Sequence, residues 1–188
     1  MSEAVEEAAS RLRGEVAFDL LLGGVNTHAT QPVGDYGRRL LLHIWREVHA
    51  TTGARFGFRV PDGIVYNSTL PCLAVLAVRQ ALGRPPFGYL HRLQQLFFQE
   101  GCNVNDLEVL CRTATEFEVA AGHVRRAVSD ADLLAKLQAE FDSARVYGTS
   151  ALPSVLVEVS GERSLLAGGY LDADMLVALV RERQASKN

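Results

Sequence analysis

A chain of 188 residues, 48% hydrophobic and 22% charged, has the composition of an ordinary globular protein and enough length for one sizeable core in one domain. Its net charge of −3 argues against nucleic acid or an anionic membrane as partner, and residues 1–14, acidic and alanine-rich, read as neither a signal peptide nor a transmembrane span. The expectation is a cytoplasmic protein whose three cysteines, Cys72, Cys102 and Cys111, are reduced, because their number is odd and they show no Cys-x-x-Cys or metal-ligand spacing.

Glu3 to Arg13 has helical composition and stops at Gly14, a residue suited to the left-handed position that closes a helix. The nearly continuous apolar run Val16 to Leu22, closed by Gly23-Gly24, predicts a strand covered on both faces of a parallel sheet. Residues 26–34 form a polar breaker. Leu40, Leu41, Ile44, Trp45 and Val48 then recur at helical spacing between Tyr36 and Thr52, with Gly53 as the stop, and Gly57 to Tyr66 reads as a loop.

The middle of the chain is helical. Asn67 or Ser68 can cap a helix with Pro71 in its first turn that runs to Gly83, and Pro85-Pro86 restarts the chain into Phe87 to Glu100. The stripe Leu90, Leu93, Leu96, Phe97 within it reads as core. Asn105 or Asp106 caps a further helix through Leu107 and Ala114, and Asp130 caps another through Leu133, Leu137 and Phe141. At the C-terminal end Tyr147-Gly148-Thr149-Ser150-Ala151-Leu152-Pro153 leads straight into the apolar run Val155 to Val159. Proline can open a strand only at its first residue, an edge or a bulge, and an X-Pro bond is the one peptide bond that takes the cis form cheaply; trans and cis are both open on the residues alone. A Gly161-Glu162 turn, a second run Ser164 to Ala167, the Gly168-Gly169-Tyr170 break and an amphipathic helix complete the chain.

Four passages carry a resemblance: Leu21-Leu22-Gly23-Gly24-Val25; Thr52 to Gly57 followed by Tyr66 to Val75; Leu93 to Gly101; and Val146 to Val159 with Gly169-Tyr170. In order and spacing they resemble the DsbA-like branch of the thioredoxin superfamily, which holds protein-disulfide isomerases, kappa-type glutathione transferases and 2-hydroxychromene-2-carboxylate isomerases, with the disulfide-isomerase subgroup the best match. The resemblance implies an α/β, thioredoxin-like sheet from residues 1–34 and 145–188, with a large helical insertion over 35–144. It also implies a cis Leu152–Pro153 bond facing the active site, so that Leu152 and Pro153 bind substrate. The groove beside them is expected to be apolar, lined by Phe56, Tyr66 and Phe87.

The chain departs from that family at its redox centre. Members carry Cys-x-x-Cys at the N-terminus of the first helix, where the dipole and free N–H groups stabilise a thiolate. This sequence starts inside that helix, so the first strand of the sheet, and both cysteines, are expected to lie before Met1. A late-assigned start, a truncation, or a partner strand that fills the gap would each account for this. Among the cysteines present, Cys72 follows Pro71 in a helix, Cys102 follows a helix stop, and Cys111 is mid-helix; no electropositive, partly exposed setting marks any of them as a nucleophile.

His28, His43, His49, His91 and His123 form no His-x-x-x-His pair, and no Gly-x-Ser-x-Gly elbow is present, which argues against a metal site or a serine hydrolase. No cofactor is expected, and the double glycines are too short for a dinucleotide loop. The expected function is therefore a DsbA-like thiol–disulfide oxidoreductase without turnover in this short form, whose partner is a disulfide-containing protein or a small thiol. A non-redox binding module using the same groove and a glutathione-dependent isomerase or transferase are the alternatives. A homodimer is a partner state left open.

Overall fold

In the computed structural model, which describes residues 2–147 and 152–185, contacts divide the chain into two units, Gly24–Gln138 and Met1–Gly23 with Ala139–Asn188. The elements in order are α1 (Ser2–Arg11), α2 (Asp35–Thr52), α3 (Thr69–Leu82), α4 (Phe87–Phe98), α5 (Leu107–Thr115), α6 (Ala121–Ala127), α7 (Ala131–Val146), β1 (Ser154–Val159), β2 (Glu162–Gly168) and α8 (Ala173–Ala185). Gly148 to Ala151, in the loop singled out in the sequence, lie outside the described residues.

The 24–138 unit is helical. α2 and α3 both end on a glycine in the left-handed region, Gly53 at φ +70° and Gly83 at φ +63°, whose N–H groups cap the carbonyls of His49 and Arg79 at 2.9 Å. Every residue of α3 from Leu73 to Val78 is buried, as befits a helix that is apolar all round, and α4, α5 and α6 pack on it. Each such Leu or Val contributes about 1.5–3 kcal/mol of burial. α4 turns Tyr89, Leu93, Leu96 and Phe97 inward, and the buried Tyr89 hydroxyl donates to the Leu110 carbonyl of α5 at 3.1 Å. Asp106 caps α5 by accepting from the Glu108 N–H at 2.9 Å. The short α6 has no counterpart in the predicted elements.

The other unit packs α1 against α8, with Ala8, Leu12, Leu171, Leu176 and Val177 as its buried core and Val16, Phe18, Val155 and Leu166 around it. Arg11 reaches across from α1 to Asp174 at 2.7 Å. β1 and β2 form an antiparallel hairpin, turned at Ser160 (φ +56°) and Gly161 (φ +82°). Two successive positive φ values match the right-handed twist of the strands. Glu158 and Arg163 face each other across the ladder and form an ion pair.

The strand predicted over Val16 to Leu22 is corrected by the structure: the segment carries no ladder hydrogen bonds, and the sheet has two strands among the described residues. An apolar run becomes a strand only when another strand pairs with it. Here the run is held by its side chains instead, with Val16 and Phe18 on the α1/α8 core and Leu22 buried. The Leu22 N–H donates to the Glu140 carboxylate of α7 at 3.2 Å.

Candidate functional site

The Leu152–Pro153 peptide is cis, and it sits immediately before β1. Proline has no N–H, so its carbonyl is its one backbone hydrogen-bonding group. That carbonyl accepts the Gly169 N–H at 2.9 Å, just past the end of β2. Gly169 stands at φ +89°, where a side chain would be strained, so the bend after β2 depends on glycine. The hairpin thereby fixes the backbone of the loop, while both loop side chains remain exposed, Leu152 at 49%. Leu152 also lies close against Gly23, where an added Cβ would come within 3.0 Å of both its methyl groups. Gly23 follows Leu22, whose N–H is held by Glu140, so the loop, the extended segment and α7 meet around this point of the unit.

The three thiols lie in the 24–138 unit, and burial disfavours the thiolate of two of them, Cys72 and Cys111. Cys72 is one turn into α3, its N–H bonded to the Ser68 carbonyl at 2.9 Å. Burial pushes its thiol from an ordinary 9.0 up to about 11, with a hydrogen bond to the Ser68 side chain offsetting part of the rise. Cys111 is buried in α5, where burial raises its thiol and the Arg125 charge partly opposes the shift. Cys102 follows the glycine after α4, its N–H on the Leu96 carbonyl at 2.8 Å.

The native form of Cys72 is thus the neutral thiol. Its contribution to stability is complete below 9.0 and is lost as pH rises from there towards 11, the reverse of a carboxylate. Urea melts across that range are expected to show wild-type stability falling by about 2 kcal/mol more than that of Cys72→Ala. Equal slopes in the two proteins would contradict the burial of this thiol. Native Cys72 is likewise expected to alkylate far more slowly at neutral pH than the unfolded chain does.

His43, His49 and His123 have local partners. His43 lies 3.4 Å from Glu47 one turn on, His49 is 2.8 Å from the Ala54 carbonyl, and His123 is 3.1 Å from the Ala77 carbonyl. Among the described residues no group of three or more His, Cys, Asp or Glu could hold a metal ion.

Two of the three expected groove residues, Phe56 and Tyr66, belong to an aromatic cluster around Trp45 that the sequence pattern does not assemble. Trp45 stacks on Phe56 at 5.7 Å and meets Phe97 and Phe98 edge-on at 5.5 and 5.4 Å. Tyr66 stacks on Phe97 at 6.0 Å, and burial raises its hydroxyl. Phe87 opens α4 and is not part of this cluster. The signal in the sequence is the pairing of Phe56-x-Phe58 and Phe97-Phe98 with the single tryptophan. These rings pack as a core.

No family profile matches the sequence, and no curated protein matches it. Solved structures do match. A candidate protein disulfide isomerase from Nitrosomonas europaea superposes with a TM-score of 0.87 at 22% identity, over 100% of this chain and 91% of that one. The cytosolic disulfide reductase DsbM from Pseudomonas aeruginosa superposes with a TM-score of 0.76 at 25% identity, over 98% and 92%. Its structure with GSH gives 0.73 at 22%, over 100% and 92%. No helix of the described residues is long and apolar enough to cross a membrane.

Proposed function

We propose that this chain, which has the DsbA-like thioredoxin fold, acts on thiols and disulfides as a cytoplasmic protein, taking a disulfide-bearing protein or small thiol at Leu152 and Pro153. The observation that carries the reading is the loop itself: a proline backbone locked by Gly169 with its side chains turned to solvent, in a fold shared with a candidate protein disulfide isomerase and a disulfide reductase. An extended substrate backbone laid beside such a loop is recognised through main-chain groups, with side-chain pockets adding selectivity. The cytosolic source of DsbM supports the compartment.

Turnover needs more than the loop. In thiol–disulfide exchange a thiolate attacks one sulfur of a disulfide, a mixed disulfide forms, the other sulfur leaves as thiolate, and a second cysteine then resolves the intermediate. This sequence has no Cys-x-x-Cys, and burial disfavours the thiolate at Cys72 and Cys111. The chain as it stands is therefore read as binding thiols and disulfides at this loop without exchange turnover from a Cys-x-x-Cys pair of its own.

The deciding experiment is insulin reduction by the chain as given and by the chain extended through its upstream reading frame. Activity in the extended form alone is the expected result. Activity in neither form would favour a binding module, and activity in the short form would bring Cys72, Cys102 or Cys111 forward and overturn the proposal. A second reading, a glutathione-dependent isomerase or transferase, draws on the DsbM structure with GSH. It requires a lone serine in place of the first cysteine upstream, and glutathione binding that perturbs Leu152 and Gly169.

A further inference from the structure

Helix α2 turns four large apolar side chains to solvent: Tyr36 is 75% exposed, Leu40 45%, Ile44 42% and Val48 38%. One exposed leucine on a surface needs no explanation, but a contiguous apolar strip does. These four recur every fourth residue, so they lie along one ridge of the helix, the kind of ridge that packs into the groove of another helix. The opposite face is already used, with Trp45 buried and Leu41 and Leu42 on the aromatic cluster. The strip therefore stands apart from the core contacts of its own unit.

The neighbouring ridge decides what fits. Arg39, His43 and Glu47 are all exposed and run parallel to the apolar strip, positive at Arg39 and negative at Glu47, with the acidic Asp35 one turn before Arg39 at the start of the helix. The His43 ring lies 3.4 Å from the Glu47 carboxylate along this ridge. When two such helices lie antiparallel about a two-fold axis, each charged ridge adjoins its own copy in reverse. Arg39 then meets Glu47 of the second copy, twice by symmetry, with His43 near the axis. Tyr36 lies across from Val48, and Leu40 from Ile44. A parallel two-fold arrangement would carry the charged ridge to the far flank of the second copy, so that Arg39 and Glu47 of the two copies would not meet; the antiparallel arrangement is the one that pairs them.

We propose that this face of α2 docks on the same face of a second copy of the chain, forming an antiparallel, isologous homodimer. The interface is self-complementary in both its apolar strip and its charges. α2 spans 18 residues, on the order of 27 Å, enough for the whole strip to be covered in one helix-on-helix crossing.

Sedimentation equilibrium of the full chain over a concentration series tests this. The wild type is expected to dimerise reversibly, and Leu40→Glu to weaken the dimer at least about tenfold, with an unchanged far-UV spectrum showing that the fold survives. Arg39→Glu and Glu47→Arg are each expected to weaken it about fivefold, and the double exchange to restore it, a rescue that a merely structural role would not produce. His43→Cys is expected to cross-link to itself under mild oxidation. A wild-type chain that stays monomeric overturns the proposal, as does a dimer indifferent to Leu40→Glu or a double exchange no better than either single change. A monomer that binds anionic lipid vesicles in a Leu40-dependent way would also overturn it, in favour of a membrane surface.

Discussion

Replacing Gly57 with alanine is expected to destabilise the protein by about 3 kcal/mol or more, one of the largest effects available to a single added methyl group. Gly57 lies in the extended segment between Phe56 and Phe58, and its N–H donates to the Phe98 carbonyl at 2.8 Å. A Cβ built on it would stand 1.9 Å from the Gln99 carbonyl oxygen and 2.9 Å from the Gln99 carbonyl carbon. Both are backbone atoms at the end of α4, which no rotamer change can move aside. The substitution must therefore part the segment from α4 or distort the last turn of that helix. Gly63 is the control: it stands at φ +64° with nothing within 4 Å of where a Cβ would sit, so alanine there meets only the backbone penalty, about 1 kcal/mol. Urea titrations of the two variants should separate them clearly. Equal losses would mean that Gly57 is not in close contact with α4.

Trp45→Ala is expected to cost about 3–5 kcal/mol, because it empties the centre of the aromatic cluster rather than trimming its edge. Trp45 is 3% exposed and touches Phe56, Phe97 and Phe98, which come from the extended segment and from α4. Those rings also contact one another, Phe97 and Phe98 at 4.8 Å, so the cavity cannot close without pulling α4 towards α2. Ile44→Ala, one position earlier on the same helix, is expected to change stability by about 0.5–1 kcal/mol at dilutions where the chain is monomeric. Far-UV circular dichroism is the appropriate probe, since Trp45 is the only tryptophan and its loss removes the fluorescence signal. A loss below about 1 kcal/mol in Trp45→Ala would place this side chain at the surface.

What could be read in the sequence was whatever short-range chemistry decides. The α2 apolar spacing with its closing Gly53, the Asp106 cap of α5 and the hairpin after Pro153 all stand where local pattern put them. Asn67 and Ser68 are equivalent as caps on paper, and the structure divides the work between them. The Asn67 side chain accepts from the Thr69 N–H at 2.8 Å, while the Ser68 hydroxyl accepts from the Val25 N–H at 2.8 Å. α6 escapes notice because its seven residues carry one buried apolar position, Val124, too few to show a period. The Val16 to Leu22 segment fails as a strand for another reason, since pairing is a property of two segments and an apolar run reports only one of them. At the candidate site, Pro153 is legible because proline before a β-branched run is unusual. The Gly169 bond that holds it and the close approach of Gly23 to Leu152 join residues far apart in the chain, and nothing local announces them.

The division of the chain also sets an order of events at the ribosome. Gly24–Gln138 is one uninterrupted stretch, whereas the other unit is assembled from the first 23 residues and the last 50. Domains tend to complete as their last residue emerges, at about 5–20 residues per second. The helical unit can therefore finish while α1 still waits, its Ala8 and Leu12 face uncovered, for α8 to be synthesised. That interval, several seconds at these rates, is when nascent α1 is most open to a chaperone or to misassembly with another chain.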